Sequence, residues 1–123
     1  MGVTMKINEV EQRVGITKKN IRFYEEKGLI NPGRLAENGY RDYGEADVEM
    51  LLKIKLLRKL GIPIETIRKL QEGQCSLAEC MEQRVREIDG ERKVLDRVEE
   101  MCATLGEREP NLKELCAREF LAE

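Results

Sequence analysis

The chain has 123 residues, with 22 Lys+Arg against 24 Asp+Glu and no His, which is long enough for one compact head but too short for a head plus a separate effector-binding domain. With no His and no convincing nucleophile and base pair, general acid-base chemistry lacks its usual agents, so an enzyme is not expected. No apolar run approaches the roughly 20 residues of a membrane span and no signal-peptide pattern opens the chain, so a cytoplasmic protein without a membrane role is expected. The net charge of −2 is unevenly placed: residues 1–70 hold 14 Lys+Arg and 10 Asp+Glu, whereas residues 71–123 hold 8 and 14. The cationic end is the one suited to a polyanion.

Residues 7–14 read as a short helix, with Ile7, Val10 and Val14 at helical spacing. Asn8 is the expected N-cap, with Glu11 three residues on, and Gly15 is the expected stop. Thr17 offers a hydroxyl to the next helix. From there Ile21, Tyr24, Gly28 and Leu29 form a stripe that must face Val10, Val14 and Ile16. Lys18, Lys19, Arg22 and Phe23 share the opposite face, with Asn20 beside them. Lys and Arg neutralise phosphates or reach guanine edges, and Asn can read adenine. Phe23, outward in a chain with only five aromatics, suits a thymine methyl or a sugar.

Asn31-Pro32-Gly33 breaks the second helix. Residues 34–37 and 40–43 read as two short strands around the tight-turn signal Asn38-Gly39. Arg34, Tyr40, Arg41 and Tyr43 give this hairpin its chemistry. Alternation places Tyr40 and Asp42 on one face and Arg41 and Tyr43 on the other, and leaves open which pair docks inward and which meets phosphate. Helix, turn, basic helix and hairpin in that order predict a winged helix-turn-helix.

Residues 45–60 predict a broad apolar helix with Val48, Leu51, Leu52 and Leu56 buried, ended by Gly61-Ile62-Pro63. Ile64, Ile67 and Leu70 mark a short fourth helix. Residues 71–75 connect it to a capping box, Ser76-Leu77-Ala78-Glu79. From there residues 76–105 run without proline, a rod of roughly 45 Å. Leu77, Met81, Val85, Ile88, Leu95, Val98, Cys102 and Leu105 follow coiled-coil-like spacing, interrupted at residues 90–92. One such stripe cannot bury itself: folding back on its own head is one solution, but its length and charged flanks favour a partner helix, of which the simplest is its two-fold mate. Past Gly106, Pro110 and Asn111 open a short amphipathic tail helix, with Leu112, Leu115, Cys116 and Phe120 placed to dock. The expected divisions are 1–71 for the head, 72–106 for the dimerisation helix and 107–123 for the tail.

Cys75, Cys80, Cys102 and Cys116 show neither C-x-x-C nor zinc-finger spacing and are expected to be reduced thiols. Antiparallel pairing about Gly90 and Glu91 would bring Cys80 near Met101 and Cys102 of the partner subunit. Thiolates alone suit copper(I), mercury or zinc, or a disulfide switch. Plain core packing is the competing and favoured account of the four, because Cys is among the most often buried residues. No cofactor is required on that account, and a soft metal ion is the alternative.

Taken together, Ile7-Asn8-Glu9-Val10, Gly15-Ile16-Thr17, Ile21-Arg22-Phe23-Tyr24-Glu25, Gly28-Leu29-Ile30, Gly39-Tyr40-Arg41-Asp42-Tyr43, Asp47-Val48 and Leu57-Arg58-Lys59-Leu60-Gly61-Ile62 through Ile67 resemble the MerR family of bacterial transcriptional regulators across residues 5–71. The resemblance implies a mainly α fold: a winged head, a long dimerisation helix paired as an antiparallel coiled coil, and a short C-terminal helix. It also implies a homodimer on pseudo-palindromic promoter DNA with an over-long spacer, bent and untwisted so that RNA polymerase can engage both promoter elements. Carried over by residue, recognition contacts fall on Lys18, Lys19, Arg22, Phe23 and Tyr24, wing contacts on Tyr40, Arg41 and Tyr43, and a phosphate contact on Arg58. Two positions depart from the family pattern: Phe23 stands where many relatives have Tyr, and Gly44 replaces the usual Ser or Thr cap. Family metal sensors carry a cysteine near the start of the long helix, where Cys75 or Cys80 lies, but add cysteines in the loop after it, and residues 106–111 have none. A helical interaction module without DNA readout is the alternative from another class; only DNA binding predicts a steep loss of affinity with salt.

Overall fold

The computed structural model describes residues 4–34, 41–109 and 111–122. They form α1 (Ile7–Val14), α2 (Lys18–Glu26), β1 (Gly33–Arg34), β2 (Arg41–Asp42), α3 (Glu45–Lys59), α4 (Ile64–Gln71), α5 (Leu77–Arg108), a 3-10 turn at Leu112–Glu114 and α6 (Ala117–Leu121). The chain divides into two compact units, Met1–Cys80 and Met81–Glu123.

In the first unit the chain is pinned before it becomes helical. Met5 and Tyr43 exchange backbone hydrogen bonds of 2.7 and 2.8 Å, which holds the backbone extended through Lys6. The residue before α1 is therefore Lys6, and no side chain caps it. Asn8, expected as the cap, lies inside the helix, because a pairing between residues far apart in sequence decides where the helix begins. Glu11 does not reach back to the helix start either; its carboxylate accepts the backbone N–H of Lys18 at 2.9 Å. Gly15 ends α1 as expected, with φ 67 and its N–H donating to the Glu11 carbonyl. Left-handed backbone of this kind favours glycine. Lys55 completes the end from α3, donating from Nζ to the Val14 carbonyl at 2.9 Å.

The core of this unit is Val10, Val14, Ile16, Ile21, Tyr24, Leu29, Ile30, Tyr43, Val48, Leu51, Ile54, Ile62 and Ile67, with Met5. From α3 the buried residues are Val48, Leu51 and Ile54. Leu52 and Leu56, expected inside, are 40 % and 58 % exposed. They stand four apart, with Leu60 four further on, along a neighbouring side of a helix so generally apolar that periodicity cannot choose between sides. At the start of α3 the Gly44 N–H donates to the Asp47 carboxylate at 3.0 Å, so one half of a capping box survives without the hydroxyl. β1 and β2 pair antiparallel, Gly33 with Asp42 and Arg34 with Arg41. These are the base of the expected hairpin, whose Asn38-Gly39 turn lies outside the described residues.

In the second unit α5 continues through Gly90 and ends at Arg108, three residues beyond the predicted rod. At the head of the helix, in the first unit, Ser76 caps it, its Oγ accepting the Glu79 N–H at 3.1 Å. The tail is a 3-10 turn and a five-residue helix rather than one continuous helix. Arg108 ties it down by pairing with Glu119 at 2.9 Å and lying 5.1 Å from the Phe120 ring centre. Among the described residues no helix is long and apolar enough to cross a membrane.

A two-pronged ion pair fastens α1 to α3. Arg13 donates to both carboxylate oxygens of Glu45, at 2.6 and 3.1 Å. That hydrogen bonding holds the Glu45 carboxyl below its ordinary value and raises Arg13. A carboxylate with a lowered folded-state pKa stabilises the fold above its ordinary pKa, and this contribution is lost as pH falls through the lowered value. Thermal melting of Arg13→Gln should therefore lie below that of the parent at neutral pH, and the gap should close on acidification below the carboxylate range. A gap that stays constant with pH would refute the assignment.

Candidate nucleic-acid interface

α2 has nine residues, too few to be stable as an isolated helix in water. Its position depends on what holds its two ends and its inner face. At the N-terminus the Asn20 N–H donates to Thr17 Oγ1 at 3.2 Å, while Glu11 takes the Lys18 N–H. Two of the four N–H groups that a helix start leaves open are thus satisfied, one by a carboxylate that also complements the helix dipole. At the other end Gly28 turns the chain with φ 77. Two side chains of α4 then hold the exit: Arg68 donates to the Lys27 carbonyl, and Gln71 donates to the Leu29 carbonyl at 2.8 Å. Between the ends, Ile21 and Tyr24 are buried against the core.

What remains outward is the face the spacing predicted. Lys19, Asn20 and Arg22 are exposed and Lys18 is half-buried. Phe23 is 37 % exposed, its ring centre 5.9 Å from that of Tyr24. Arg58, at the end of α3, is exposed, and its guanidinium donates to the Ile62 carbonyl at 3.1 Å.

Two expected contacts belong to the core. Tyr24 is 8 % exposed because it shares the inward stripe with Ile21, and Tyr43 is fully buried. The bridge to Met5 places Tyr43 at the junction of strand and core. Tyr40 and the side chains of Arg34 and Arg41 lie outside the described residues. Sequence reasoning missed Lys27, whose Nζ lies 5.5 Å from the Phe23 ring centre. The spacing of four was its only signal.

Along α5 the expected seam is open to solvent in the single chain: Leu77, Val85, Leu95 and Val98 are 49 to 66 % exposed, Cys102 is exposed, and Met81, Ile88 and Leu105 are half-buried. Met101 is also exposed, as is Val94, which was not foreseen. Of the cysteines, Cys80 is buried, Cys75 half-buried and Cys102 and Cys116 exposed, and no disulfide joins them. Among the described residues no group of three or more His, Cys, Asp or Glu side chains is placed to hold a metal ion.

A two-helix unit with a fixed turn and an outward basic second helix defines a helix-turn-helix protein. Residues 5–74 match the MerR HTH family regulatory protein profile, and the chain belongs to that family. It is 41% identical over 66 residues to the HTH-type transcriptional regulator CueR of Salmonella typhi, covering 54% of this chain and 48% of that protein. It is 46% identical over 66 residues to the regulator HmrR of Rhizobium leguminosarum bv. viciae, covering 54% and 50%. The chain thus spans about half the length of the curated relatives it matches. Among solved structures, a lead(II) complex of a transcription regulator from Ralstonia metallidurans shares the fold with TM-score 0.73 at 22% identity, over 84% of this chain and 85% of that one. The MerR family regulator HiNmlR, described as lacking the sensor domain and bound to promoter DNA, matches with TM-score 0.54 at 25% identity, over 84% and 79%.

The cap from Glu11 is the least expected part of this arrangement and the easiest to remove. Glu11→Ala should cost about 1 kcal/mol of stability, as loss of a capping oxygen does, and should speed amide hydrogen exchange at Lys18 more than at Ile21. Unchanged exchange at Lys18 would show that the cap does not hold the helix start.

Proposed function

We propose that this protein is a DNA-binding transcriptional regulator that acts as a homodimer on double-stranded promoter DNA. The observation that carries the reading is the outward face of α2, where Lys18, Lys19, Asn20 and Arg22 project from a helix clamped at both ends. A short helix fixed in this way can enter the major groove without first being ordered by it. Its Lys residues serve phosphates, while Arg22 and Asn20 have the geometry to read guanine and adenine edges. Arg58 adds a phosphate contact, and Arg34, Tyr40 and Arg41 are assigned to the wing.

The dimer is supported by the exposed apolar stripe of α5, which needs a second helix to leave water. Antiparallel pairing with a two-fold mate joins two heads in one assembly. On a pseudo-palindromic site, two heads at a set separation favour DNA bent or untwisted to match them, and that deformation is the regulatory output presented to RNA polymerase. A soft metal is not part of this reading. The relatives named as heavy metal-dependent regulators match over about half their length, and the buried Cys80 is accounted for by packing.

Salt titration of duplex binding separates this reading from a protein-docking module. Arg22→Ala should weaken binding to the protein's own upstream DNA by about 1 to 3 kcal/mol if Arg22 makes a bidentate base contact. An equal loss on random duplex would reassign it to phosphate. Affinity that does not fall as salt rises would contradict DNA binding by this face.

A further inference from the structure

We propose that Lys27 contacts a DNA phosphate, and that Phe23 positions it by carrying its ammonium group over the ring face. The proposal rests on the reading of the head as a DNA-binding module and adds a residue that neither spacing nor the resemblance assigned.

Three features of Lys27 set it apart from an ordinary surface lysine. Its Nζ lies 5.5 Å from the centre of the Phe23 ring, within the range at which an ammonium is attracted to an aromatic face. The ring itself is 37 % exposed, so the pair sits at the surface rather than inside the core. The backbone below the side chain is held from both directions: the Lys27 N–H donates to the Phe23 carbonyl at 3.0 Å, and its own carbonyl accepts from the Arg68 guanidinium. Gly28 then turns the chain away. A lysine with its main chain tethered and its head drawn onto a ring has less freedom to lose when it meets an anion.

The place of Lys27 along α2 supplies the partner. Lys18 opens the helix and Lys27 lies nine positions on, about two and a half turns, so the two lysines fall on opposite flanks of α2. A helix lying in the major groove therefore presents one charge toward each flanking sugar-phosphate strand, with Arg22 on the face between them. Phe23 in this arrangement has two roles, an apolar contact on its open edge and a platform for Lys27 on its face.

The test is binding of the full-length protein to a mixed-sequence duplex of 30 base pairs across a range of salt, because a phosphate contact acts on any sequence. Lys27→Gln should reduce the slope of log affinity against log salt by about 0.9 for each head bound. Lys27→Arg should keep the parent slope, and both should melt with the parent. In a Phe23→Leu background the loss caused by Lys27→Gln should be about two- to fivefold smaller than in the parent, the range expected of an exposed cation and ring pair. An unchanged slope for Lys27→Gln, with the parent binding normally, would overturn the role of Lys27 alone. Equal losses in both backgrounds would overturn positioning by Phe23. Failure of the parent itself to bind at low salt would overturn the underlying reading and this proposal with it.

Discussion

Everything the head can do depends on how α2 is held, and its first amide is taken by one carboxylate. Glu11, on α1, takes the first amide of α2 at Lys18, so the helix that presents the basic face is joined to its support by a charge-assisted hydrogen bond across the turn. Thr17 takes a second amide, the left-handed Gly15 sets the angle of the turn, and Lys55 closes the carbonyl end of α1 beneath it. The far end is held by Arg68 and Gln71 of α4. A nine-residue helix cannot carry its own free energy of formation. Here its geometry is borrowed from three neighbouring helices and from the burial of Ile21 and Tyr24.

The same economy explains the distribution of charge and apolar surface. The first unit buries a full set of branched residues, and among its described cations none is buried. The second exposes a row of Val and Leu on α5, a surface that a solitary helix in water would carry only at a cost. Around that row, Arg84 pairs with Glu87 and Glu91, and Lys93 with Asp89, which commits these charges to the helix's own surface. Exposed pairs of this kind contribute little to stability.

How much of this was legible in the sequence divides along one line. Wherever a feature depends on neighbours a few residues away, it was readable: Gly15 as a stop, Thr17 and Ser76 as caps, the inward Ile21 and outward Arg22 of α2. Wherever it depends on residues far apart, it was not. Asn8 has the chemistry of a cap, but the Met5–Tyr43 bridge starts the helix elsewhere. Leu52 and Leu56 fit the apolar pattern of α3 as well as Leu51 does, and only the position of its neighbours selects the buried side. Tyr43 has a residue type that suits a nucleic-acid contact, yet it fills the core beside the bridge to Met5. Lys27 was passed over because its partner is a ring rather than an acid, and its backbone is fixed by Arg68, 41 positions away.

The central claim, as proposed, is that two clamped basic helices, one from each subunit of a dimer, grip one DNA site and deform it. DNase I footprinting on the DNA upstream of the protein's own coding sequence tests it most directly. The account predicts two protected half-sites related by two-fold symmetry, with enhanced cleavage between them where the duplex is distorted. A single protected half-site, or protection with no change in cleavage at the centre, would contradict it.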